Sequence, residues 1–240
     1  HELKLDMQGF EQAMAVQQSQ AREASRFAAV DKLDIDPAAA TEFIGYDALQ
    51  GSSSIIALFS TDGTSLEEVE AGQEALLLLD VTPFYGESGG QIGDQGVLQG
   101  SAARFDVVDT KKQGNAVIHR GSLAEGALKI GDQVSAQVAD ENRSATTLNH
   151  SATHLMHAAL RTVLGEHVTQ KGSLVDTDRL RFDFSHPSPL TEAELKQIEE
   201  RVNFQILANS SVEKEIMPIA DAQKKGALAL FGEKYDDEVR

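Results

Sequence analysis

The chain has 240 residues, 41% of them hydrophobic, which is enough for two domains with buried cores. It contains no cysteine, which excludes a disulfide framework and any thiolate metal ligand within these residues, and no apolar run approaches the roughly 18–20 residues that span a bilayer. The formal net charge is −17, with 9 Lys and Arg against 22 Asp and Glu in residues 1–140 and 12 against 16 in residues 141–240; phosphate is repelled at long range, so any nucleic-acid contact should be local and lie in the second half, or come from another part of the protein.

His1 followed by a charged, helix-like stretch is neither a signal peptide nor a natural start, and predicts an internal segment of a longer protein. Phe10, Met14, Ala21 and Ala24 recur at near-helical spacing and predict a helix over residues 3–27, packed on the outside. Asp31, Asp36 and Pro37 end it in a linker, so residues 1–37 form a helical lead-in. Short strand-like runs follow at 41–46, 54–60, 75–81, 104–108 and 116–119, separated by turn signals at 61–63, 113–115 and 131–132. Regular short strands without helices predict a small β-barrel over residues 38–140.

Residues 141–240 mix the two periods. A helix is expected over 142–164, with Leu148, Ala152, Leu155 and Ala159 as its buried stripe. A hairpin follows, 168–175 and 180–185 around Asp176-Thr177-Asp178, with Leu180, Phe182 and Phe184 alternating with Arg181 and Asp183. A second helix starts at Thr191, where Glu194 completes a capping box, and Leu195, Ile198, Val202 and Ile206 line its core face. A strand over 212–217 is stopped by Pro218. The fold class is α+β: an N-terminal helix, a small barrel, then a unit with helices on an antiparallel sheet.

Three features carry chemistry. The first is Asn149-His150-Ser151-Ala152-Thr153-His154-Leu155-Met156-His157. Residues four apart on a helix sit about 40° apart around the axis, so His150 and His154 can aim at one metal ion, which zinc would complete with two further ligands. His157 lies on the same side, one turn on. The bland alternative is a solvated polar face, because Arg143, Thr147, His150, His154, His157 and Arg161 all fall opposite the Leu148–Leu155 stripe. No Glu follows His150, so the His-Glu-x-x-His pattern is absent. The second feature is the glycine-rich segment 82–94, which fits neither a phosphate-binding loop nor Gly-x-Gly-x-x-Gly and could equally be a tight strand connection. The third is Gln170-Lys171-Gly172-Ser173 on the hairpin's first strand. Strict alternation puts Val168, Gln170, Gly172 and Leu174 on one face, and a Gln carried onto a largely buried face needs a polar partner; in the bland case it is solvated at the sheet edge.

Together and in this order, Thr-Pro-Phe-Tyr-Gly-Glu-Ser-Gly-Gly-Gln-Ile-Gly-Asp at 82–94, His150-Ser-Ala-Thr-His154 and Gln170-Lys-Gly-Ser173 resemble the editing domain of alanyl-tRNA synthetases. The resemblance covers essentially the whole chain, with residues 1–30 similar to the helical connection leading out of the ligase part. It implies a cytoplasmic parent enzyme that uses ATP and magnesium outside these residues to attach alanine to its tRNA. It implies that this region hydrolyses Ser-tRNA and Gly-tRNA specific for alanine, since a pocket separates such near-isosteres by only about 1–3 kcal/mol. It implies zinc held by His150 and His154 and by a later Cys-x-x-x-His. That second motif is absent here and expected beyond Arg240, so these residues alone should hold zinc weakly. It implies that Thr153 and Gln170 contact the amino acid or the terminal ribose, and that the glycine-rich loop turns toward the histidine helix. The competing expectation is a non-catalytic module that positions tRNA or links the ligase to later parts.

Overall fold

A computed structural model describes residues 6, 7, 9–14, 16, 33, 35, 40–213, 215–227 and 237–239. The architecture is α+β and falls into two compact units, His1–Ser88 with Ile92–Asp140, and Gly89–Gln91 with Glu141–Arg240.

The first unit is built on six antiparallel strands, β1 (Gln50–Ser60), β2 (Glu74–Leu79), β3 (Gly96–Gln99), β4 (Arg104–Gln113), β5 (Ala116–Glu125) and β6 (Gln133–Val138). Their order is β6-β3-β4-β5-β2-β1, and β1 pairs again with β6, from Gln133 opposite Ser54 to Gln137 opposite Gln50, which closes the sheet into a barrel. Register shifts at 55–57, 104–105 and 107–109 supply the local bends that closure needs. β4 and β5 are joined by Gly114-Asn115, and Gly114 at φ 58 occupies the positive-φ first position of a II′ hairpin loop.

The strands run longer than their apolar cores suggested because their polar ends still pair. β2 reads as a continuous apolar run because both of its faces are covered: Ala75, Leu77 and Leu79 join the interior with Ile55, Phe84 and Phe105, while Leu76 and Leu78 join an outer cluster with Phe59 and Ile118. Leu33, placed in the linker by sequence, is only 5% exposed and packs into that outer cluster. Of the expected N-terminal helix, Met7, residues 9–14 and Val16 are helical, Asp6 stands just before them, and the rest of 3–27 lies outside the described residues. Asp6 starts it, its Oδ1 accepting the Gly9 N–H at 2.9 Å, and Phe10 and Met14 are exposed.

The second unit holds α1 (Asp140–Leu164), a hairpin of β7 (Gln170–Val175) and β8 (Leu180–Phe184), α2 (Glu192–Ala208) and α3 (Ile219–Lys224). Its apolar core gathers Ala159 and Leu160 of α1, Val168, Phe182 and Phe184 of the hairpin region, and Ile198 and Val202 of α2. α2 begins with both halves of the capping box, Thr191 and Glu194 each bonding the other's backbone N–H. Thr191→Ala is expected to cost about 1 kcal/mol, read as a roughly fivefold loss of hydrogen-exchange protection in the first turn of α2.

Three details differ from the sequence reading. Leu195 and Ile206 of the α2 stripe are 53% and 52% exposed among the described residues, because the core they meet is small and ends at Ile198 and Val202. Among the described residues the strand expected over 212–217 is confined to Met217–Pro218, paired with Glu238–Val239, and Pro218 is part of that short ladder. The third concerns α1. Its buried residues are Thr146, Thr153, His157, Ala159 and Leu160, while Leu148 is 71% exposed. Of the six residues on its polar face only His157 is buried, Thr147 and His154 being exposed, and the helix turns Thr146 and Thr153 inward instead.

Candidate functional site

α1 can bury Thr153 because its hydroxyl is satisfied within the helix. Thr153 Oγ1 donates to the carbonyl of Asn149, one turn back, at 2.8 Å, so a 5% exposed hydroxyl needs no outside acceptor. Asn149 Nδ2 donates to the carbonyls of Asp176 and Thr177 at 2.8 and 3.2 Å, which pins the helix to the hairpin turn. Arg161 donates to the carbonyls of Glu166 and Val168 at 2.8 and 3.0 Å, which pins the segment leading into β7. The helix thus lies along the hairpin at two points.

Between those points sit the two histidines singled out by spacing. The His150 and His154 rings stack with centroids 5.0 Å apart and an interplanar angle of 21°. His150 is half-buried and His154 exposed. Burial, and secondarily the neighbouring His154 charge, holds the His150 imidazole below its ordinary range, so it is neutral at neutral pH, the form a metal needs. Two imidazoles on successive turns fit half of a tetrahedral zinc set. Among the described residues no group of three His, Cys, Asp or Glu is placed to hold a metal. His157 does not join them. It packs at 5.1 Å from the Phe182 ring with 9% exposure, and its buried Nε2 has no partner among the described residues.

The glycine-rich segment divides between structural and site roles. Thr82 and Phe84 are fully buried in the first unit, and Asp94 Oδ2 accepts the Tyr85 N–H at 2.6 Å while the Asp94 N–H returns to the Tyr85 carbonyl at 3.0 Å. The tip, Gly89–Gln91, belongs to the second unit. There the Gly90 carbonyl accepts the Val175 N–H at 2.7 Å, and Gln91 pairs in parallel with Val175. Gln91 is 8% exposed, and its Oε1 lies 2.6 Å from His150 Nδ1. Sequence reasoning quoted Gln91 inside the motif but gave it no role; the signal available was a lone amide among glycines, beside the segment expected to face the helix.

Gln170 is half-buried at the start of β7. Strict alternation does not hold there. A bulge pairs Gln170 with Phe184 but Gly172 with Asp183, leaving Lys171 as the extra residue. Gln170 therefore shares the face of Phe182 and Phe184, while Gly172 and Leu174 share the face of Asp183 and Arg181. The Asp183 carboxylate lies 2.6 Å from where a Gly172 Cβ would sit, so Gly172 does not open room beside Gln170. Among the described residues no hydrogen bond joins the Gln170 amide to either histidine.

A further histidine, given by sequence only a place at the end of the strand-like run 116–119, is structural. His119 in β5 is fully buried, its Nδ1 donating to the Leu77 carbonyl at 3.1 Å and its Nε2 accepting from Thr82 Oγ1 at 2.8 Å. Its low pKa, about 4, comes from burial.

Comparison with known proteins matches residues 1–143 to the family described as tRNA synthetases class II (A). An alanine–tRNA ligase of Pseudomonas syringae pv. syringae is 54% identical over 99% of this chain and 27% of its own length, and one of Pseudomonas syringae pv. tomato is 55% identical over the same shares. The chain thus spans 27% of the length of these curated relatives. No helix among the described residues is long and apolar enough to cross a membrane. The family match covers more than half of the chain, and the chain belongs to the class II (A) tRNA synthetases.

Proposed function

We propose that this chain is the editing region of a cytoplasmic alanine–tRNA ligase, and that it hydrolyses the ester of Ser-tRNA and Gly-tRNA specific for alanine. The observation that carries the reading is the stacked His150–His154 pair on a helix tied to the hairpin turn through Asn149, with Gln91 of the glycine-rich loop bonded to His150. The likeness to two alanine–tRNA ligases over 99% of the chain supports the parent activity, which joins alanine to its tRNA with ATP and magnesium at a site outside these residues.

His150 and His154 would hold zinc as two of four ligands. The relatives extend far beyond this chain's length, and we assign the other two donors to that part. Bound zinc would supply Lewis-acid polarisation of the ester. The Thr153 hydroxyl donates its hydrogen bond to the Asn149 carbonyl, which leaves its oxygen only lone pairs to offer. We assign it to the hydroxyl or ammonium of the misplaced amino acid. Gln170, on the face of Phe182 and Phe184, is assigned to the ester or the terminal ribose. The two-donor metal set also favours a second reading, a module that positions tRNA without chemistry.

One experiment separates them. In the full-length enzyme, His150→Ala with His154→Ala should lower Ser-tRNA hydrolysis by about 10²-fold, the order lost with one transition-state stabilising group. Gln170→Ala should lower it in the same direction, and alanine charging should stay unchanged in both. Hydrolysis equal to the parent in the double variant would leave the positioning module as the function.

A further inference from the structure

We infer that Gln91 is a positioning residue for His150, fixing the imidazole in the tautomer that carries its proton on Nδ1 and leaves the Nε2 lone pair free as a donor. For its consequence in hydrolysis this rests on the function proposed above; the tautomer itself can be read without any tRNA.

The argument begins with the inventory of the two groups. A Gln Oε1 only accepts. With Oε1 2.6 Å from His150 Nδ1, the ring nitrogen must donate, so the neutral ring carries its single proton on Nδ1. Nε2 is then the only imidazole nitrogen able to bind a cation. A carbonyl acceptor behind the ring also makes the free nitrogen a better base and stops the ring from turning, which is how outer partners tune metal-bound histidines.

Both partners are held on the same hairpin. Gln91 is fixed by its backbone, since Gly90 accepts the Val175 N–H at 2.7 Å and Gln91 lies in register with Val175. This approach needs glycine. Gly90 has φ +84, and a Cβ there would stand 2.6 Å from the Ser173 carbonyl oxygen. His150 is fixed through its neighbour Asn149, bonded to the Asp176 and Thr177 carbonyls of the turn that follows Val175. The hairpin is thus the common frame that sets the distance from amide to imidazole. An amide 8% exposed must find some partner, and a purely structural role for Gln91 would be met by any hydrogen bond. The positioning role is narrower, because it requires an acceptor at this atom.

Imidazole nitrogen–proton correlation spectra of the metal-free chain at pH 8 test this, with the His150 signals identified by their loss in His150→Asn. Zinc binding is measured by titration of the same proteins. In the parent, Nδ1 of His150 should be protonated and Nε2 bare. Gln91→Met, close in size but without an acceptor, should lose that tautomer and bind zinc about 10-fold more weakly or worse. Gln91→Glu, which restores an acceptor, should keep the tautomer and bind zinc at least as well as the parent. A bare Nδ1 in the parent overturns the assignment, and so does a Gln91→Met protein with unchanged tautomer and zinc affinity. If tautomer and affinity respond as stated while the full-length enzyme leaves Ser-tRNA intact, the editing reading fails and the positioning role stands.

Discussion

Phe84→Ala should destabilise the barrel by about 3–5 kcal/mol, the cost of emptying the space of a fully buried aromatic ring. Phe84 is 0% exposed and belongs to the interior cluster with Leu77, Leu98 and Phe105. Its ring stands edge-on to His119, centroids 5.2 Å apart at 88°, an arrangement that adds to the area it buries. Its edge also lies 3.0 Å from where a Gly96 Cβ would be, so the β3 backbone is built against it and cannot simply close the void. Hydrogen exchange reads the barrel directly. Protection of the Leu77 and Ile118 amides, both in central strands, should fall by 10² or more. A loss below about 1 kcal/mol would show that the barrel collapses onto the gap and that Phe84 is not a keystone of its core.

That result would also divide the glycine-rich segment into its two functions. In the sequence its thirteen residues read either as a site or as a strand connection, and both descriptions apply to different parts. Thr82, Phe84 and Asp94 are buried in the first unit; Gly89–Gln91 run beside β7 and reach His150. The barrel itself was legible because β-strands with a covered face announce themselves by alternation and by turns such as Gly114-Asn115. The start of α2 was legible for a similarly local reason, since a capping box is written in four residues.

What was not legible depended on partners distant in the chain. Periodicity finds an apolar stripe on α1, but not which face the hairpin will cover. The stripe rule assumes that polar residues prefer water. It fails where a threonine bonds its own helix, as Thr153 does, because the cost of burying the hydroxyl is already met. Of the expected stripe Leu148 is 71% exposed, Ala152 and Leu155 are half-buried and Ala159 is buried. The bulge at Lys171 escaped for another reason. Alternation is certain only while the ladder is regular, and one extra residue moved Gly172 and Leu174 to the opposite face from Gln170. The bond from Gln91 to His150 spans 59 positions, and only the shared order of motifs hinted that the two segments meet.

His119 makes the barrel acid-sensitive, and the sign follows from its partners. The fully buried ring donates from Nδ1 to the Leu77 carbonyl and accepts at Nε2 from Thr82, whose oxygen in turn accepts the Phe84 N–H at 3.1 Å. A second ring proton would meet a hydroxyl that now donates to Nε2, and a cation would sit in the barrel wall. Burial accordingly lowers the pKa from an ordinary 6.5 to about 4. The unfolded chain takes up a proton near pH 6.5, and the folded barrel does so only near pH 4. His119 therefore weighs nothing against the fold above pH 6.5, and stability is lost progressively as pH falls from there toward 4, by about 3 kcal/mol in all. Urea unfolding at pH 7.5, 5.5 and 4 should show this loss in the parent beyond whatever the carboxylates contribute. His119→Leu removes the titration while keeping the carboxylates. It should start less stable at pH 7.5, because the Leu77 carbonyl and Thr82 hydroxyl lose their partner, yet fall about 3 kcal/mol less than the parent on acidification. Parallel curves for the two proteins would mean that His119 is charged in the folded barrel.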